Sequence, residues 1–211
     1  MADSEIDVYQ TLYTGVNAEY KVKGSRFLGL AAPVQNEKEA ESIIHDISRR
    51  LHDATHHCYA YTLGTDEQRI DRYSDAGEPS GTAGRPIMES ILGRRLVNVL
   101  CVVTRYFGGT RLGTGGLARA YAECTNLTLD AATLVKHYIM ATYHAAFPYT
   151  ITGSVMKVIN QYEVDIVQTL YGEKTEMDIR IRKSLADNFE KDIRDATAGK
   201  IQLKREEPVS G

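Results

Sequence analysis

VVTRYFGGTRLGTGGLARAY, residues 102–121, joins an apolar run to a helical pattern through a glycine-rich segment. The run from residue 95 to residue 104 is β-branched and almost continuously apolar, which is typical of a central strand covered on both faces. After the glycines, apolar side chains recur at three- and four-residue steps, which predicts a helix with one buried stripe. That stripe comprises Leu117, Ala120, Tyr121, Cys124 and Leu127. The segment therefore predicts a strand, a loop and a helix in succession.

The residues before this segment predict a sheet accompanied by helices. Alternating apolar side chains in residues 19–34 predict a hairpin. Asn36 is placed to cap a helix whose apolar residues lie three and four positions apart. Residues 74–86, SDAGEPSGTAGRP, contain three glycines and two prolines and are predicted to be irregular. Further strands are predicted at residues 57–63 and 69–74, and a short helix at residues 86–93.

The C-terminal third of the chain has a different pattern. Period-two and period-3.6 segments alternate there in the order strand, helix, strand, strand, helix, strand. This βαββαβ order is typical of a ferredoxin-like module. We therefore predict an α+β protein with two domains, residues 1–136 and residues 137–211.

The composition is that of a globular protein with a slight acidic excess. Hydrophobic residues make up 43% and charged residues 25% of the 211 residues, so the chain can bury a core. Its length suits a medium domain plus a small one. The formal charge of -3 gives no general attraction to nucleic acid or acidic membranes. Any site for a polyanion therefore has to be local.

The N-terminal segment and the cysteines argue against export and against metal binding. The first nine residues carry Asp3, Glu5 and Asp7 instead of a basic segment followed by an apolar one. No run approaches the roughly 18 apolar residues of a membrane span, so we expect a cytoplasmic protein without a membrane segment. Three widely spaced cysteines without a C-x-x-C pattern predict neither disulfides nor a zinc site.

The glycine-rich loop is a candidate anion-binding site. Missing side chains allow positive φ angles and close approach of a ligand to backbone N–H groups. The first amides of the following helix lack intrahelical acceptors, and the helix dipole attracts anions there. Thr114 is predicted to cap this helix with a hydroxyl that a phosphate can share. The glycines concerned are Gly108, Gly109, Gly113, Gly115 and Gly116.

Basic side chains surround this loop in the sequence. Residues 84–119 contain six arginines and one acid, Glu89, a net charge of +5 in a chain that is acidic overall. Arginine binds phosphate through two parallel hydrogen bonds, and a neighbouring aromatic ring can stack a base. Besides the glycines, the predicted surface for RNA or phosphate comprises Arg85, Arg105, Tyr106, Arg111, Thr114 and Arg119. The alternative is a tight turn whose glycines serve backbone geometry and whose arginines are solvated or paired with acids.

A second group of polar residues contains His56, His57, Asp75, Glu78, Ser80 and Thr82. A histidine beside carboxylates and hydroxyls can act as a general acid and base or bind a metal. Neither H-E-x-x-H nor G-x-S-x-G is present, so no catalytic residue, metal site or cofactor is predicted. Two other roles remain for these residues: locking the loop through bonds to its backbone, and contacting a ligand without chemistry.

Two segments together resemble the signature of a known family. SDAGEPSGTAGRP and VVTRYFGGTRLGTGGLARAY occur in this order, with THHCYAY at residues 55–61 upstream, and closely resemble the YigZ and IMPACT family. The resemblance implies that residues from about 15 to 136 have a fold similar to the second domain of ribosomal protein S5 and to domain IV of elongation factor G. It also implies a ferredoxin-like second domain similar to domain V of that factor.

The resemblance implies a non-catalytic regulator associated with translation. Eukaryotic relatives restrain a starvation-activated kinase pathway that controls translation initiation, by competing for an activator of the kinase. We therefore expect binding to RNA, to the ribosome or to another phosphate-bearing partner through the basic glycine-rich loop. Two alternatives remain. One is an enzyme that acts on a small phosphorylated substrate, with His57, Asp75 or Glu78 as proton carriers, and the other is an adaptor that binds a protein partner.

Overall fold

The computed structural model describes residues 7–65 and 69–206. The chain forms two compact units, one of residues Tyr9–His137 and one that combines Met1–Val8 with Tyr138–Gly211. From the sequence, the predicted domains are residues 1–136 and residues 137–211.

Asp7 belongs to the second unit because of contacts that span most of the chain. Its carboxylate accepts hydrogen bonds from the backbone N–H and the hydroxyl of Ser184, and its carbonyl oxygen accepts the N–H of Ile139 at 2.6 Å. These partners lie too far away in the sequence for a local pattern to reveal them.

The first unit is built on a five-stranded antiparallel sheet with the strand order β2-β3-β6-β4-β5. Its strands are β2 (Val16–Val22), β3 (Ser25–Pro33), β4 (His56–Leu63), β5 (Ile70–Ser74) and β6 (Val99–Tyr106). Its helices are α1 (Glu37–Arg50), α2 (Gly84–Gly93) and α3 (Thr114–Asp130). A separate two-stranded sheet pairs β1 (Val8–Leu12) with β7 (Leu134–Tyr138).

The two faces of the five-stranded sheet are covered unequally. α2 and α3 pack on one face, where Phe27 and Tyr121 belong to the core. α1 packs on the other face, which we call the α1 face, against Tyr61, Leu100 and Val102. Because successive residues of a strand point to opposite faces, residues that are adjacent in sequence can lie on different sides of the sheet.

α1 begins as the sequence predicts. The side chain of Asn36 accepts a hydrogen bond from the N–H of Glu39 at 2.9 Å, which confirms the predicted cap. Within residues 7–65 and 69–206, none of the helices combines the length and the apolar character needed to cross a bilayer.

The second unit contains β8 (Met140–Phe147), α4 (Thr152–Gln161), β9 (Asp165–Tyr171), β10 (Thr175–Arg182), α5 (Ala186–Ala196) and β11 (Gln202–Arg205). Its antiparallel sheet has the order β11-β8-β10-β9, which is the arrangement of a ferredoxin-like module. Alternate residues of β8 and β10 are buried, and Tyr143 and Ile179 form a core with Phe189 of α5. The predicted ferredoxin-like fold is confirmed.

Two details of the first unit differ from the predictions. β6 begins only at Val99, because Arg95 and Asn98 have positive φ angles of 54° and 57° and cannot continue a strand. The prediction that Leu127 is buried is wrong, since its side chain is 39% exposed. Thr128 takes a buried position beside it, and its hydroxyl is satisfied by a backbone carbonyl of the same helix.

Candidate anion-binding site

The loop that joins β6 to α3, residues 107–113, lies against the turn between β2 and β3. The N–H of Gly108 donates to Ser25 Oγ at 3.2 Å. A Cβ atom at position 108 would lie 1.8 Å from the carbonyl carbon of Gly24 and 2.0 Å from its oxygen. The missing side chain of Gly108 therefore allows two backbone segments to pack closely, and this packing leaves little room there for a ligand.

Gly109 and Gly113 have a different role from Gly108. Their φ angles are 86° and 72°, in the left-handed region that glycine adopts without strain. No heavy atom beyond their chain neighbours lies within 4 Å of the position that a Cβ would take. The surface around these two glycines is therefore open to solvent.

α3 begins without a side-chain cap. Gly113 occupies the N-cap position, and Thr114, which the sequence predicts to be the cap, is the first residue of the helix. The first helical hydrogen bond runs from the N–H of Leu117 to the carbonyl of Gly113 at 2.9 Å. The amides of Thr114, Gly115 and Gly116 have no acceptor among the residues that the structure describes. These three N–H donors lie at the positive end of the helix dipole and can therefore bind an anion.

A cavity of about 390 Å³ opens beside this helix start. Gly116, Lys23, Arg119 and Glu123 contribute to its lining. Lys23 and Arg119 are exposed, and neither has an ion-pair partner in the described part of the chain. Sequence reasoning missed Lys23, because only folding brings the β2–β3 turn next to α3. Its place in a hairpin turn was the one available signal.

The six arginines counted in the sequence do not form one surface. Arg95 precedes β6 whereas the loop follows it, so the eight residues of this strand, roughly 26 Å of extended chain, separate the two. Arg111 and Arg119 are exposed and have no ion-pair partner within residues 7–65 and 69–206. The other three are held by acids: Arg85 by Glu89 at 2.8 Å, Arg94 by Asp130 at 2.5 Å and Arg105 by Glu78 at 2.6 Å.

Arg105 lies inside the protein instead of on the predicted surface. It is 5% exposed, and its guanidinium carbon lies 5.5 Å from the ring centroids of both Phe27 and Phe107. Arg105 cannot reach a ligand without breaking its ion pair with Glu78. We therefore exclude it from the candidate site.

Tyr106 is also engaged by other side chains. Its hydroxyl donates to Asp53 at 2.9 Å, and the guanidinium of Arg26 lies 5.7 Å from its ring centroid. Phe107 is 48% exposed and keeps more of its ring open to solvent. Phe107 is therefore better placed than Tyr106 to stack a base.

Asp75 locks the loop between β5 and α2. Its carboxylate accepts the backbone N–H groups of Gly81, Ala83 and Gly84 at 2.8 Å, 2.9 Å and 2.9 Å. The hydroxyl of Thr82 donates to a carbonyl of the same loop at 2.6 Å, whereas Ser80 is exposed. Of the roles considered for Asp75 and Thr82, the geometry favours loop locking.

Glu78 is buried at the centre of a polar cluster. One of its oxygens accepts from Arg105 Nη1 at 2.6 Å and from the hydroxyl of Tyr121 at 2.9 Å. The other lies 3.9 Å from Nε2 of His56, which the sequence analysis includes in the same polar group. Glu78 therefore links the 74–86 loop, β6 and α3.

His57 lies on the other side of the sheet from this cluster. Its Nδ1 is 3.1 Å from the hydroxyl of Thr104, on the α1 face. Burial, together with the neighbouring His56, lowers the pKa of His57. The structure therefore does not bring His57 together with Asp75 and Glu78.

Asp75 gives a testable pH dependence. Burial opposes its ionisation, but hydrogen bonds from three backbone amides outweigh burial and lower its pKa. Its contribution to stability is thus complete above the unfolded pKa of about 3.9 and is lost as the pH falls through the lowered folded pKa. We expect Asp75→Asn to reduce the free energy of unfolding by about 1–2 kcal/mol at pH 7, allowing for partial solvation.

Urea denaturation at a series of pH values measures this contribution. The difference between wild type and Asp75→Asn should shrink as the solution is acidified towards about pH 3. Asp71→Asn, on neighbouring β5, is the control, because its carboxylate bonds the Arg69 side chain on the surface. A difference for Asp75→Asn that stays constant across this range would contradict the prediction.

Comparison with known proteins assigns this arrangement to a family. Residues 23–129 match the Impact N-terminal domain, and residues 146–200 match a domain of unknown function, DUF1949. The chain is 33% identical to the IMPACT family member YvyE of Bacillus subtilis, over 94% of this chain and 91% of that protein. The chain belongs to the IMPACT family. Both motif segments lie within the matched N-terminal domain.

Other relatives of this IMPACT family chain cover its length to different extents. The IMPACT family member YigZ of Escherichia coli is 29% identical over 87% of this chain and 90% of that protein. The Protein IMPACT homolog of Dictyostelium discoideum is 31% identical over 59% of this chain and 34% of that protein. A crystal structure of a hypothetical protein matches with a TM-score of 0.71 and 26% identity, covering 96% of this chain and 99% of that one. The predicted α+β fold of an IMPACT N-terminal domain followed by a ferredoxin-like domain is confirmed.

Proposed function

We propose that this IMPACT family protein is a non-catalytic, translation-associated regulator that binds RNA at the start of α3. The binding surface, which we call the α3-start surface, comprises Lys23, Arg111, Arg119 and the amides of residues 114–116. One observation carries the proposal: these amides are uncapped at an exposed helix start, beside a cavity lined by Lys23, Arg119 and one acid, Glu123. Among the described residues, neither of the two cations has an ion-pair partner.

The chemistry of the α3-start surface suits phosphate oxygens. Uncapped amides and the helix dipole attract a negative charge, and the guanidinium groups of Arg111 and Arg119 can each bind two oxygens. Lys23, in the turn between β2 and β3, adds a third positive charge. Several separated cations match the spaced phosphates of a polynucleotide better than a single small anion.

An exposed ring next to this surface favours single-stranded RNA. One face of Phe107 contacts the Arg105 guanidinium, and the side chain is still 48% exposed. A base can stack on such a ring without sequence preference. The role in translation rests on the family resemblance of the two motif segments. The second segment contains Arg111, Arg119 and the amides of residues 114–116.

Titration of fluorescein-labelled single-stranded RNA of about 12 nucleotides tests the proposal by fluorescence anisotropy. Arg111→Ala combined with Arg119→Ala should weaken binding by about tenfold or more at low salt, because two phosphate contacts are lost. The slope of log K against log salt should also become less negative, by about 0.7 for each lost contact.

Arg95→Ala is the matched control, because Arg95 is exposed and unpaired among the described residues but lies at the other end of β6. It should change the affinity by less than about twofold. An affinity that does not depend on salt, or an equal loss for Arg95→Ala and for the double variant, would argue against the α3-start surface.

A further inference from the structure

A second cavity lies on the α1 face of the five-stranded sheet and has no role in the proposed RNA binding. Its volume is about 420 Å³. Leu28 and Leu30 of β3 line it together with Val102 of β6, and Ile47 and Leu51 contribute from the end of α1. Such a volume, with an apolar lining and few polar groups, is typical of a small-molecule site.

This cavity exists because one helix covers a face that can accommodate two. α2 and α3 pack side by side on the opposite face, whereas α1 packs mainly against β4 on this face. Leu28 and Leu30 are therefore only half-buried, although their neighbours in β6 are fully buried. Covering these two side chains removes apolar area from water and favours binding of an apolar group.

The charges at the edge of the cavity favour an anion. Arg50 lines it from the last turn of α1 and has no ion-pair partner within residues 7–65 and 69–206. Glu19 lines the opposite side, but it is already bound by Arg26 at 2.8 Å and by Lys21 at 3.4 Å. The edge therefore has an excess of positive charge, with Arg50 as the available donor.

The dimensions favour a small molecule over a peptide helix. The lining uses three consecutive residues of β2, 17–19, and three of β3, 28–30. Three strand residues span only roughly 7 Å between the first and last Cα atoms, less than two turns of an α-helix. The lining also crosses three adjacent strands, β2, β3 and β6, which span roughly 10 Å, so a narrow ligand fits when it lies across the strands.

We propose that this cavity binds a small amphipathic carboxylate, with its aliphatic or aromatic body over Leu28 and Leu30 and its carboxylate on Arg50. The planar guanidinium of Arg50 forms two parallel hydrogen bonds with the carboxylate oxygens. Thr104 also lines the cavity, and its buried hydroxyl already forms a hydrogen bond with His57. The ligand class is that of a medium-chain fatty acid or an aromatic acid.

Isothermal titration with decanoate, the ten-carbon carboxylate, tests the site directly. We expect one decanoate per chain with a Kd below about 1 mM. Arg50→Glu should weaken binding by about tenfold or more, because it replaces attraction by repulsion. Arg49→Glu is the matched control: both residues are exposed in the last turn of α1, but only Arg50 lines the cavity. It should change the affinity by less than about twofold.

A second variant fills the cavity without changing its charge. Leu28→Trp should abolish decanoate binding while the circular dichroism spectrum and the RNA affinity stay at wild-type values. Decanol should bind the wild type about tenfold more weakly than decanoate does. Because decanol has no carboxylate, its affinity for Arg50→Glu should equal its affinity for the wild type. Equal losses for Arg49→Glu and Arg50→Glu, or absence of saturable decanoate binding, would overturn the proposal. So would binding to phosphatidylglycerol vesicles without binding to dissolved decanoate, which indicates a membrane surface instead of a cavity.

Discussion

Replacing Glu78 with leucine is expected to lower the free energy of unfolding by about 3–5 kcal/mol. Glu78 neutralises Arg105, which is 5% exposed and whose guanidinium carbon lies 5.5 Å from the centroids of two aromatic rings. Without the carboxylate, Arg105 is a buried charge without compensation, and the buried hydroxyl of Tyr121 loses its acceptor. Chemical denaturation at neutral pH measures the loss.

A double variant distinguishes the loss of charge pairing from the loss of side-chain volume. Glu78→Leu combined with Arg105→Met removes both charges and keeps apolar volume, so it should recover at least about 2 kcal/mol of the single variant's loss. Glu89→Leu is the surface control, since Glu89 bonds Arg85 with both side chains largely exposed. It should change stability by less than about 1 kcal/mol. A double variant that is less stable than Glu78→Leu would show that the charges are not coupled in this way.

The Glu78 cluster explains why the two motif segments occur together in one sequence. Glu78 belongs to the first segment, and Arg105 and Tyr121 belong to the second. Asp75 holds the loop around Glu78 in place through three backbone amides. The two motifs therefore encode the buried cluster of Glu78, Arg105 and Tyr121. The exposed surface at Phe107 and the start of α3 follows Arg105 directly in the sequence.

The elements of the fold were predictable because each depends on local periodicity. Asn36 caps α1 as predicted, and the βαββαβ order of the second unit follows from alternating patterns that do not depend on distant residues. The start of β6 was placed too early, because nothing in an apolar run indicates the positive φ angles of Arg95 and Asn98.

The candidate site was less predictable because partner choice is a tertiary property. The sequence does not reveal that Arg105 points inward to Glu78 whereas Arg111 stays in solvent. The alternation of side chains along β4 does carry one usable signal. Because successive residues point to opposite faces, only one of His56 and His57 can lie on the side of Glu78. His57 shares its face with Thr104, so His56 is the one near Glu78.

Gly108→Ala is expected to destabilise the protein by about 2–3 kcal/mol and to weaken RNA binding. The new Cβ would lie 1.8 Å from the carbonyl carbon of Gly24 and 2.2 Å from the amide nitrogen of Ser25. Both neighbours are backbone atoms, which cannot rotate away as a side chain does. The loop or the β2–β3 turn must therefore shift, and this moves Lys23 relative to the start of α3.

Gly115→Ala is the matched control for this clash. Position 115 lies in the first turn of α3, and its new Cβ would meet only the end of the Arg119 side chain, at 3.6 Å. Since alanine favours a helix more than glycine does, this variant should be neutral or more stable by up to about 1 kcal/mol. Urea denaturation and RNA anisotropy are measured on both variants. They distinguish the clash at position 108 from a general effect of replacing a loop or helix glycine with alanine. If Gly108→Ala unfolds at the wild-type urea concentration, the contact between the two glycine backbones does not hold the loop, and the geometry of the α3-start surface depends on other contacts.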